Sequence, residues 1–431
     1  MTTRRASWRT AACVDALVVG GGHNGLAMSH ALSQRSIDHV VIERGDVGQA
    51  WRSERWDSMR LLTPNWMSRL PEHAYDGDDP DGYMSAAEVA GFLSAYATKF
   101  AAPVLNHTSV LRVQAARGGY HVVTDRGDWH CRALVLAGGA FNTPVVPRVA
   151  AALPATVTQL TARDYRHPGQ LGNGGVLVVG ASATGLQLAQ EIHASGRPVT
   201  LAVGEHVRMP RTFRGRDVQW WMQATGLLDQ RIEEMDDPGR ARRLPSPQLV
   251  GTPERVTLDL NALRQQGVTL VGRLVGVRDG KAQFSGSLRN VCALADLKVN
   301  RLLDAFDDWA RSHGVAADGR DGRLAATLVD QPPRLGAAFG SDIRTVVWAT
   351  GFRPDHSWLD LPALFDRHGN LLHDRGVVAP GMVVLGLPFL RRRKSSFIHG
   401  AEDDVRDLVA HLADHLDRTA RTGVGLSLAA A

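Results

Sequence analysis

The chain has few cysteines, and they are scattered. Cys13, Cys131 and Cys292 form neither a CxxC pair nor a cluster with metal-ligand spacing among the 431 residues. This pattern argues against a disulfide scaffold, a structural zinc site and a dithiol redox relay, and it favours a reduced cytoplasmic compartment. The 17 histidines lack metal-ligand spacing as well, so no metal site is expected.

The sequence also lacks a long apolar run and a strong charge imbalance. No stretch approaches the ~18 apolar residues of a membrane span, so no membrane segment is expected. The arginines at 4, 5 and 9 precede only a short apolar run, which predicts a basic arm rather than a signal peptide. With 49 basic and 44 acidic residues the net charge is +5, and we expect no nucleic-acid partner.

What the chain has in excess is glycine, with 44 residues against a usual share of about 7%. Two segments use glycine in the same way. One predicted strand is followed by a turn with Gly20, Gly22 and Gly25, and another by a turn with Gly180, Ser182 and Gly185. After each turn come a helix of small residues and a second apolar run. Strand, glycine turn, helix and strand in this order predict a doubly wound α/β unit.

Each of these turns is suited to binding the phosphates of a dinucleotide. The first glycine allows the sharp turn, the second position lets the backbone approach the pyrophosphate, and the third lets the helix pack on the strand. The helix N-terminus then offers free N–H groups to the phosphates. We therefore predict cofactor contacts at all six positions.

The residue after the second strand distinguishes the two units. Glu43 stands 18 residues after Gly25 and can accept hydrogen bonds from a ribose, as expected for FAD. Val203 occupies the corresponding position after Gly185, and arginines follow it. Arg208 and Arg211 are therefore predicted to neutralise a 2′-phosphate, which favours NADPH over NADH. A solvated basic loop is the alternative.

The order of elements predicts an α/β protein with two doubly wound, Rossmann-like domains, one inserted in the other. The FAD-binding domain is expected over residues 1–150 and 330–431, and the NADPH-binding domain over 151–329. The latter carries an irregular and helical insertion at about 209–313. Its Trp220, Trp221 and Met222 are interpreted either as core or as the roof of a substrate pocket.

Two further motifs accompany these signatures, Gly48-x-x-Trp51-Arg52 and Trp348-Ala-Thr350-Gly351. The chain resembles the flavin-containing monooxygenase superfamily, the class B flavoprotein monooxygenases, and within it the shorter bacterial and plant-type branch. The resemblance covers nearly all of residues 15–420. It implies FAD in the split domain, NADPH in the inserted domain and a substrate at their junction.

The resemblance also implies further site residues. Trp51, Arg52, Thr63, Thr350 and Gly351 are expected to contact cofactor. The backbone of Val110 is expected to bond to the adenine. Asn65 is expected either to donate a hydrogen bond at the flavin or to have a structural polar role. The run Arg391–Lys394 is interpreted as a surface run, although its backbone is expected to contact the flavin.

One departure from the family concerns the linker into the second domain. Relatives carry FxGxxxHxxxY there, whereas this chain has Val157 and Thr161 in place of the glycine and histidine and keeps only Tyr165. The departure argues against Baeyer–Villiger chemistry.

The implied function is that of an NADPH- and FAD-dependent monooxygenase. It would insert one oxygen atom from O2 into a small organic substrate, by hydroxylation or by N- or S-oxygenation, through a flavin peroxide. The alternatives are an NAD(P)H oxidase or acceptor reductase of the same fold, and a non-catalytic nucleotide-binding redox sensor.

Overall fold

A computed structural model describes residues 11–316 and 322–421, so the basic arm with its three arginines lies outside the described residues. In chain order the helices are α1 His23–Ser33, α2 Gln49–Ser53, α3 Ala86–Lys99, α4 Ala183–Ala194, α5 Val218–Ala224, α6 Pro238–Arg242, α7 Leu260–Gln266, α8 Leu288–Ser312 and α9 Ala401–Arg421.

The strands are β1 Ala12–Val19, β2 His39–Ile42, β3 Arg69–Leu70, β4 His73–Ala74, β5 Val104–Leu105, β6 Val110–Ala116, β7 Gly119–Thr124, β8 Gly127–Leu136, β9 Thr143–Pro144, β10 Thr158–Thr161, β11 Val176–Val179, β12 Val199–Val203, β13 Val207–Arg208, β14 Thr212–Phe213, β15 Arg216–Asp217, β16 Pro247–Gln248, β17 Thr269–Gly272, β18 Leu274–Arg278, β19 Lys281–Phe284, β20 Gly336–Ala338, β21 Thr345–Trp348, β22 Phe352–Arg353, β23 Val377–Ala379 and β24 Met382–Val384.

The first sheet has the strand order β23-β24-β8-β1-β2-β5, with β6 and β7 added as an antiparallel extension on β8. Strand β1 pairs in parallel with both β2 and β8. Side chains on one face of β1, such as Ala16 and Val18, pack against α1, α3 and α9. Those on the other face, such as Leu17, pack against the β6–β7 extension. Burial on both faces explains why β1 ends as an unbroken apolar run.

The second sheet is parallel throughout, in the order β10-β21-β11-β12-β17. Helices α4, α7 and the start of α8 cover one face. The antiparallel strands β18, β19 and β20 cover the other face. The predicted fold class, an α/β protein with two doubly wound units, is therefore confirmed.

The expected domain boundary near residue 330 is wrong. Strand β21 pairs with β10 and β11 of the second sheet, and β20 belongs to the layer that covers it. Only β23 and β24 return to the first sheet. The chain leaves the first unit through β9 and re-enters it through β22, and these two strands pair with each other in antiparallel fashion. This two-stranded connection, called the hinge below for its position alone, joins the units, and the boundary lies between Trp348 and Phe352.

The insertion after β12 forms an aromatic-rich core of its own. Trp221 is fully buried, stacks on Phe306 at a centroid distance of 5.9 Å and donates its indole N–H to the carbonyl oxygen of Phe213 at 2.8 Å. Trp220 is only partly buried and carries the guanidinium of Arg216 at 4.1 Å from its ring centre. Trp221 is therefore a core residue and not part of the roof of a substrate pocket.

We predict that Trp221→Ala lowers the free energy of unfolding by ~3–5 kcal/mol, because it leaves a cavity and an unpaired buried carbonyl. Trp220→Ala should have a clearly smaller effect, since that ring is partly exposed. Chemical denaturation of both variants measures the difference. Equal losses would contradict the assignment of Trp221 to the core.

Candidate functional site

The first glycine turn joins β1 to α1 at the carboxyl edge of the first sheet. Gly20 has φ +108°, and a Cβ there would lie 2.7 Å from the carbonyl oxygen of Ala137. A Cβ on Gly25 would lie 1.9 Å from the carbonyl oxygen of Gly20. Both positions therefore need glycine so that the helix can rest on the strand.

Gly22 differs from these two glycines. It is the N-cap of α1, and a Cβ there would meet no atom within 4 Å. Gly138 and Gly139, which follow β8, also face open space. The fold itself would tolerate side chains at Gly22, so the glycine leaves room in front of a helix N-terminus. Such a place suits an anionic group, since the free N–H groups of the helix point towards it.

The carboxylate of Glu43 is fixed beside this turn. Its Oε2 accepts the N–H of Gly21 at 2.7 Å, and its Oε1 accepts the N–H of Gly45 at 2.9 Å. The backbone N–H of Thr108 bonds to the carbonyl oxygen of Glu43 at 2.9 Å, which brings the start of β6 and Val110 to the same edge. The half-buried carboxylate keeps free lone pairs, so it can also accept hydrogen bonds from sugar hydroxyls.

His23 is the first residue of α1 and directly follows Gly22. Its Nε2 lies 2.8 Å from Nδ2 of Asn24, and burial lowers the pKa of the imidazole to about 4, so the ring is neutral at physiological pH. A Cβ on Gly386 would lie 2.6 Å from the same Asn24 amide. The segment after β24 therefore starts against the first glycine turn, a contact that sequence reasoning missed.

The second turn repeats the first. Gly180 has φ +109°, and a Cβ there would lie 2.4 Å from the carbonyl oxygen of Ala349; a Cβ on Gly185 would lie 1.9 Å from the carbonyl oxygen of Gly180. Ser182 is the N-cap of α4, and its side chain makes no capping hydrogen bond there. Gln248 is fully buried and donates to the carbonyl oxygen of Ala181 at 2.7 Å, a support no motif predicted.

The two units differ where the sequence predicted. Gly20 N–H bonds to Ile42 and Gly180 N–H bonds to Ala202, so the next residues, Glu43 and Val203, occupy equivalent positions. A carboxylate is therefore absent at this point of the second unit. Further along, Glu205 faces Lys298 on α8, with Oε1 and Nζ 3.4 Å apart.

The predicted roles of Arg208 and Arg211 need correction. The Arg208 side chain is 1% exposed and paired with Asp259 at 2.5 Å and with Asp296. Arg211 is equally buried and paired with Asp217 at 2.6 Å. These guanidinium groups neutralise buried carboxylates within the fold, so they are not free to meet a 2′-phosphate.

Helix α2 and the loop after it carry three of the predicted cofactor residues. The guanidinium of Arg52 bonds to the carbonyl oxygen of Val47 at 2.8 Å and to Ser94 at 3.2 Å. It lines an open surface cavity of about 550 Å³ together with Asp46 and Asn106. Trp51 packs against the core of the first unit, and Thr63 is half-buried. Contact of Trp51, Arg52 and Thr63 with a cofactor stays a prediction.

Asn65 occupies a structural position. Its Oδ1 accepts the N–H of Met84 at 2.7 Å, its Nδ2 donates to the carbonyl oxygen of Asp79 at 2.9 Å, and the residue is 5% exposed. These bonds hold the loop of residues 65–84 together. They favour the structural alternative over a donor role at the flavin.

Thr350 and Gly351 lie at the hinge. The Thr350 hydroxyl donates to the carbonyl oxygen of Val145 at 2.5 Å, and Gly351, with φ +92°, faces open space. In the linker, Thr161 is engaged by Asp164, with its hydroxyl 2.7 Å from Oδ2. Tyr165 is fully buried and bonds to Glu191 of α4 at 3.2 Å. The altered linker is therefore tied into the second unit.

Polar contacts fasten the insertion to the loop after α2. The hydroxyl of Tyr83 donates to Asp217 at 2.7 Å, and the Arg211 guanidinium lies 4.9 Å from the centre of the Tyr83 ring. Arg211 also donates to the carbonyl oxygen of Leu62 at 2.8 Å. Burial is the main cause that raises the pKa of Tyr83, so the hydroxyl stays protonated and acts as the donor.

The three thiols are free, and Cys131 and Cys292 are buried. Burial raises the pKa of both, that of Cys292 to about 12, which suppresses the reactive thiolate. Within residues 11–316 and 322–421, no cluster of three or more His, Cys, Asp or Glu side chains could hold a metal. Over the same ranges, no helix combines the length and hydrophobicity that a membrane crossing requires.

Comparison with known proteins agrees with this geometry. The family described as pyridine nucleotide-disulphide oxidoreductase matches residues 17–236. An uncharacterised CzcO-like oxidoreductase of Geobacillus kaustophilus is 31% identical over 405 residues, which are 93% of this chain and 99% of the relative. The indole-3-pyruvate monooxygenase YUCCA6 of Arabidopsis thaliana is 30% identical, over 46% of this chain and 50% of its own length.

Solved structures show the same fold. A flavin-containing monooxygenase from Stenotrophomonas maltophilia superposes with a TM-score of 0.65 at 21% identity, covering 94% of this chain and 99% of its own. An ornithine N-hydroxylase from Kutzneria gives 0.59 at 15% identity, covering 94% and 99%. The resemblance to the flavin-containing monooxygenase superfamily is confirmed, and the chain belongs to the pyridine nucleotide-disulphide oxidoreductase family of enzymes.

Proposed function

We propose that this enzyme is an NADPH- and FAD-dependent monooxygenase acting on a small organic substrate. The observation that carries the proposal is the pair of equivalent glycine turns, one with Glu43 beside it and the other with Val203, joined through one hinge. Two dinucleotide sites of different ribose chemistry suit a flavin and a nicotinamide cofactor working together. The Stenotrophomonas flavin-containing monooxygenase has the same fold.

The first turn fits FAD. The open space before Gly22, Gly138 and Gly139 would admit the pyrophosphate against the N-terminus of α1. The carboxylate of Glu43, already oriented by two backbone N–H groups, would accept the ribose hydroxyls. The neutral imidazole of His23 would face the phosphates without adding a charge.

The second turn fits a nicotinamide dinucleotide at Gly180, Ser182 and Gly185. We propose NADPH because no carboxylate stands at Val203 to repel a 2′-phosphate. Arg208 and Arg211 are excluded as phosphate ligands because their ion pairs are buried. Lys298 contacts Glu205 at 3.4 Å, but both side chains are exposed, so we now assign the role to Lys298. The side chain of Lys298 is 36% exposed, so it can reach a ligand.

Bound FAD would accept a hydride from NADPH and activate O2, with one oxygen atom transferred to the substrate and the other released as water. The chain itself binds and orients both cofactors. The aromatic core of the insertion, which includes Met67 from the loop after α2, would exclude water from the junction. The contacts between Tyr83, Asp217 and Arg211 would hold that core over the loop.

Gly22→Val should yield folded protein without flavin. A Cβ at this position would meet no atom of the fold within 4 Å, whereas the valine side chain would fill the place of the pyrophosphate. Gly25→Val is the matched contrast, because its Cβ would lie 1.9 Å from a carbonyl oxygen and should destabilise the protein itself. Flavin absorbance and circular dichroism separate the two effects. Stoichiometric FAD in Gly22→Val would overturn the site.

Arg208→Ala should lower the free energy of unfolding by ~3–5 kcal/mol, since it leaves buried carboxylates without their partner. The ratio of KM values for NADPH and NADH should not change. Lys298→Ala should raise KM for NADPH but not for NADH, and the exposed Arg216→Ala serves as the control for loss of one charge. A selective loss of NADPH binding in Arg208→Ala would restore its 2′-phosphate role.

Oxygen transfer should be visible with labelled O2. The purified holoenzyme, supplied with NADPH and a panel of amines, sulfides, ketones and aromatics, should place one labelled atom in a product detected by mass spectrometry. Consumption of NADPH should match product formation. If all NADPH consumed appears as hydrogen peroxide across the panel, the enzyme is an NAD(P)H oxidase instead.

A further inference from the structure

The segment that follows α2, residues 54–58, belongs to the second unit by its contacts. The side chain of Trp56 is buried in the core that covers one face of the second sheet. The guanidinium of Arg166 donates to the carbonyl oxygen of Arg55, and the N–H of Asp57 donates to the carbonyl oxygen of Arg166 at 2.9 Å. Because α2 itself packs against α3 of the first unit, this segment crosses from one unit to the other.

Glu54 begins the crossing segment and joins two arginines from different units. Its Oε1 accepts hydrogen bonds from Nη2 of Arg44 and from Nη2 of Arg163, each at 2.7 Å. The side chain of Glu54 is only 12% exposed. Arg163 also donates to the carbonyl oxygen of Asn142 at 2.7 Å, directly before β9 of the hinge. A single carboxylate oxygen therefore links the two units.

The two arginines occupy equivalent places in their sheets. Arg44 stands two residues after Ile42, the last residue of β2, and Arg163 stands two residues after Thr161, the last residue of β10. Each of these strands pairs in parallel with its neighbour. Open α/β sheets bind their ligands at the carboxyl ends of parallel strands. Glu54 therefore joins the ligand-binding edge of one sheet to that of the other.

Glu54 is also the counter-ion of a larger group of cations. Within residues 11–316 and 322–421, it is the one carboxylate that forms an ion pair with any of Arg44, Arg55, Arg163 and Arg166. Burial is the main cause that lowers the pKa of Arg55; Glu54 raises this pKa, and the charges of Arg163 and Arg166 lower it. Without Glu54, these like charges would repel each other at the junction of the units.

Other ion pairs between the units lie on the side of the insertion. Lys394 bridges Asp229 of the insertion and Asp403 of α9 at 2.5 and 2.6 Å, and Arg391 and Arg392 are paired with carboxylates of α9. The basic run before α9 is therefore not a surface run, contrary to the expectation from the sequence. Its ion pairs fasten the insertion to α9 and do not join the two sheet edges.

We propose that Glu54 is a positioning residue for hydride transfer between the two dinucleotide sites. In this step NADPH is oxidised to NADP⁺, and FAD is reduced by the two electrons of the hydride. The reacting atoms must lie within about 3–3.5 Å of each other, so the two binding edges need a fixed relative orientation. The hinge consists of only two residue pairs and is a weak constraint by itself. This inference rests on the proposed function and adds the residue that aligns its two sites.

The first test measures the geometry of the two units without turnover. In the FAD-loaded protein, spin labels are attached to the exposed Cys13 of β1 and to the site of Arg278→Cys at the end of β18, whose side chain is 83% exposed. Cys131 and Cys292 are buried and remain unlabelled. Glu54→Gln should broaden or shift the distribution of distances between the labels. Added salt should narrow it again, because screening weakens the repulsion between arginines.

Asp307→Asn is the matched control. The side chain of Asp307 is 14% exposed and is paired with two arginines, Arg214 and Arg323, within the second unit alone. Its loss should destabilise the fold but leave the distance distribution unchanged. The inference is wrong if Glu54→Gln leaves the distribution unchanged, or if Asp307→Asn alters it equally. Should Glu54→Gln fail to fold, Arg44→Gln, at a side chain that is 53% exposed, decides by the same criterion.

The second test follows the reduction of bound FAD by NADPH in the absence of oxygen. Glu54→Gln should lower the rate constant at saturating NADPH about tenfold or more, with FAD content and the Kd for NADPH unchanged. Glu54→Asp, which keeps the charge, should recover part of the rate. A defect in NADPH affinity alone, or a rate equal to that of the unmodified enzyme, would overturn the inference.

Failure of this inference is distinguishable from failure of the proposed function. Labelled product from the unmodified enzyme, with FAD reduction at full rate in Glu54→Gln, would leave the monooxygenase function standing and remove the positioning role. Hydrogen peroxide in place of labelled product, with slow FAD reduction in Glu54→Gln, would do the reverse.

Discussion

Both nucleotide-type units depend on one close contact, in which the first turn of a helix lies directly on the carbonyl oxygen that ends the preceding strand. At Gly25 and Gly185 a Cβ would stand 1.9 Å from that oxygen, well inside van der Waals contact. Only glycine permits this approach. The contact sets the helix axis close to the sheet and aims the helix N-terminus at the carboxyl edge of the strands. The open space at Gly22 lies in front of a helix N-terminus because this contact fixes the position of the helix.

The sequence predicts those features that depend on residues close together in the chain. The glycine turns, the strands on either side of them and the contrast between Glu43 and Val203 depend on residues that are near each other in the chain, so their pattern was readable. Strand β21 was assigned to the wrong unit because a short, fully apolar strand carries no mark of the sheet it joins. Its pairing with β10 and β11 is decided by packing over a long sequence separation.

The arginines show the other limit of sequence reasoning. Arg208 meets Asp259 and Asp296, which are 51 and 88 residues away in the chain. A basic loop after a nucleotide-binding strand therefore looked like a phosphate site, although its charges were already neutralised from elsewhere in the fold. The structural alternative for Asn65 was likewise decided by its partners Met84 and Asp79, which no motif marks.

Accounting for each buried charge then becomes a way to separate architecture from function in this protein. An arginine such as Arg208 or Arg392, whose carboxylate partners are part of the fold, stabilises the connection between elements and has no charge left for a ligand. Arg393, by contrast, is held by the side-chain amide of Gln230 and the ring of Phe389. The ion pairs that the fold supplies itself therefore mark connections between elements, whereas groups that could meet a dinucleotide are those that keep exposed charge or free lone pairs, such as Lys298 and Glu43.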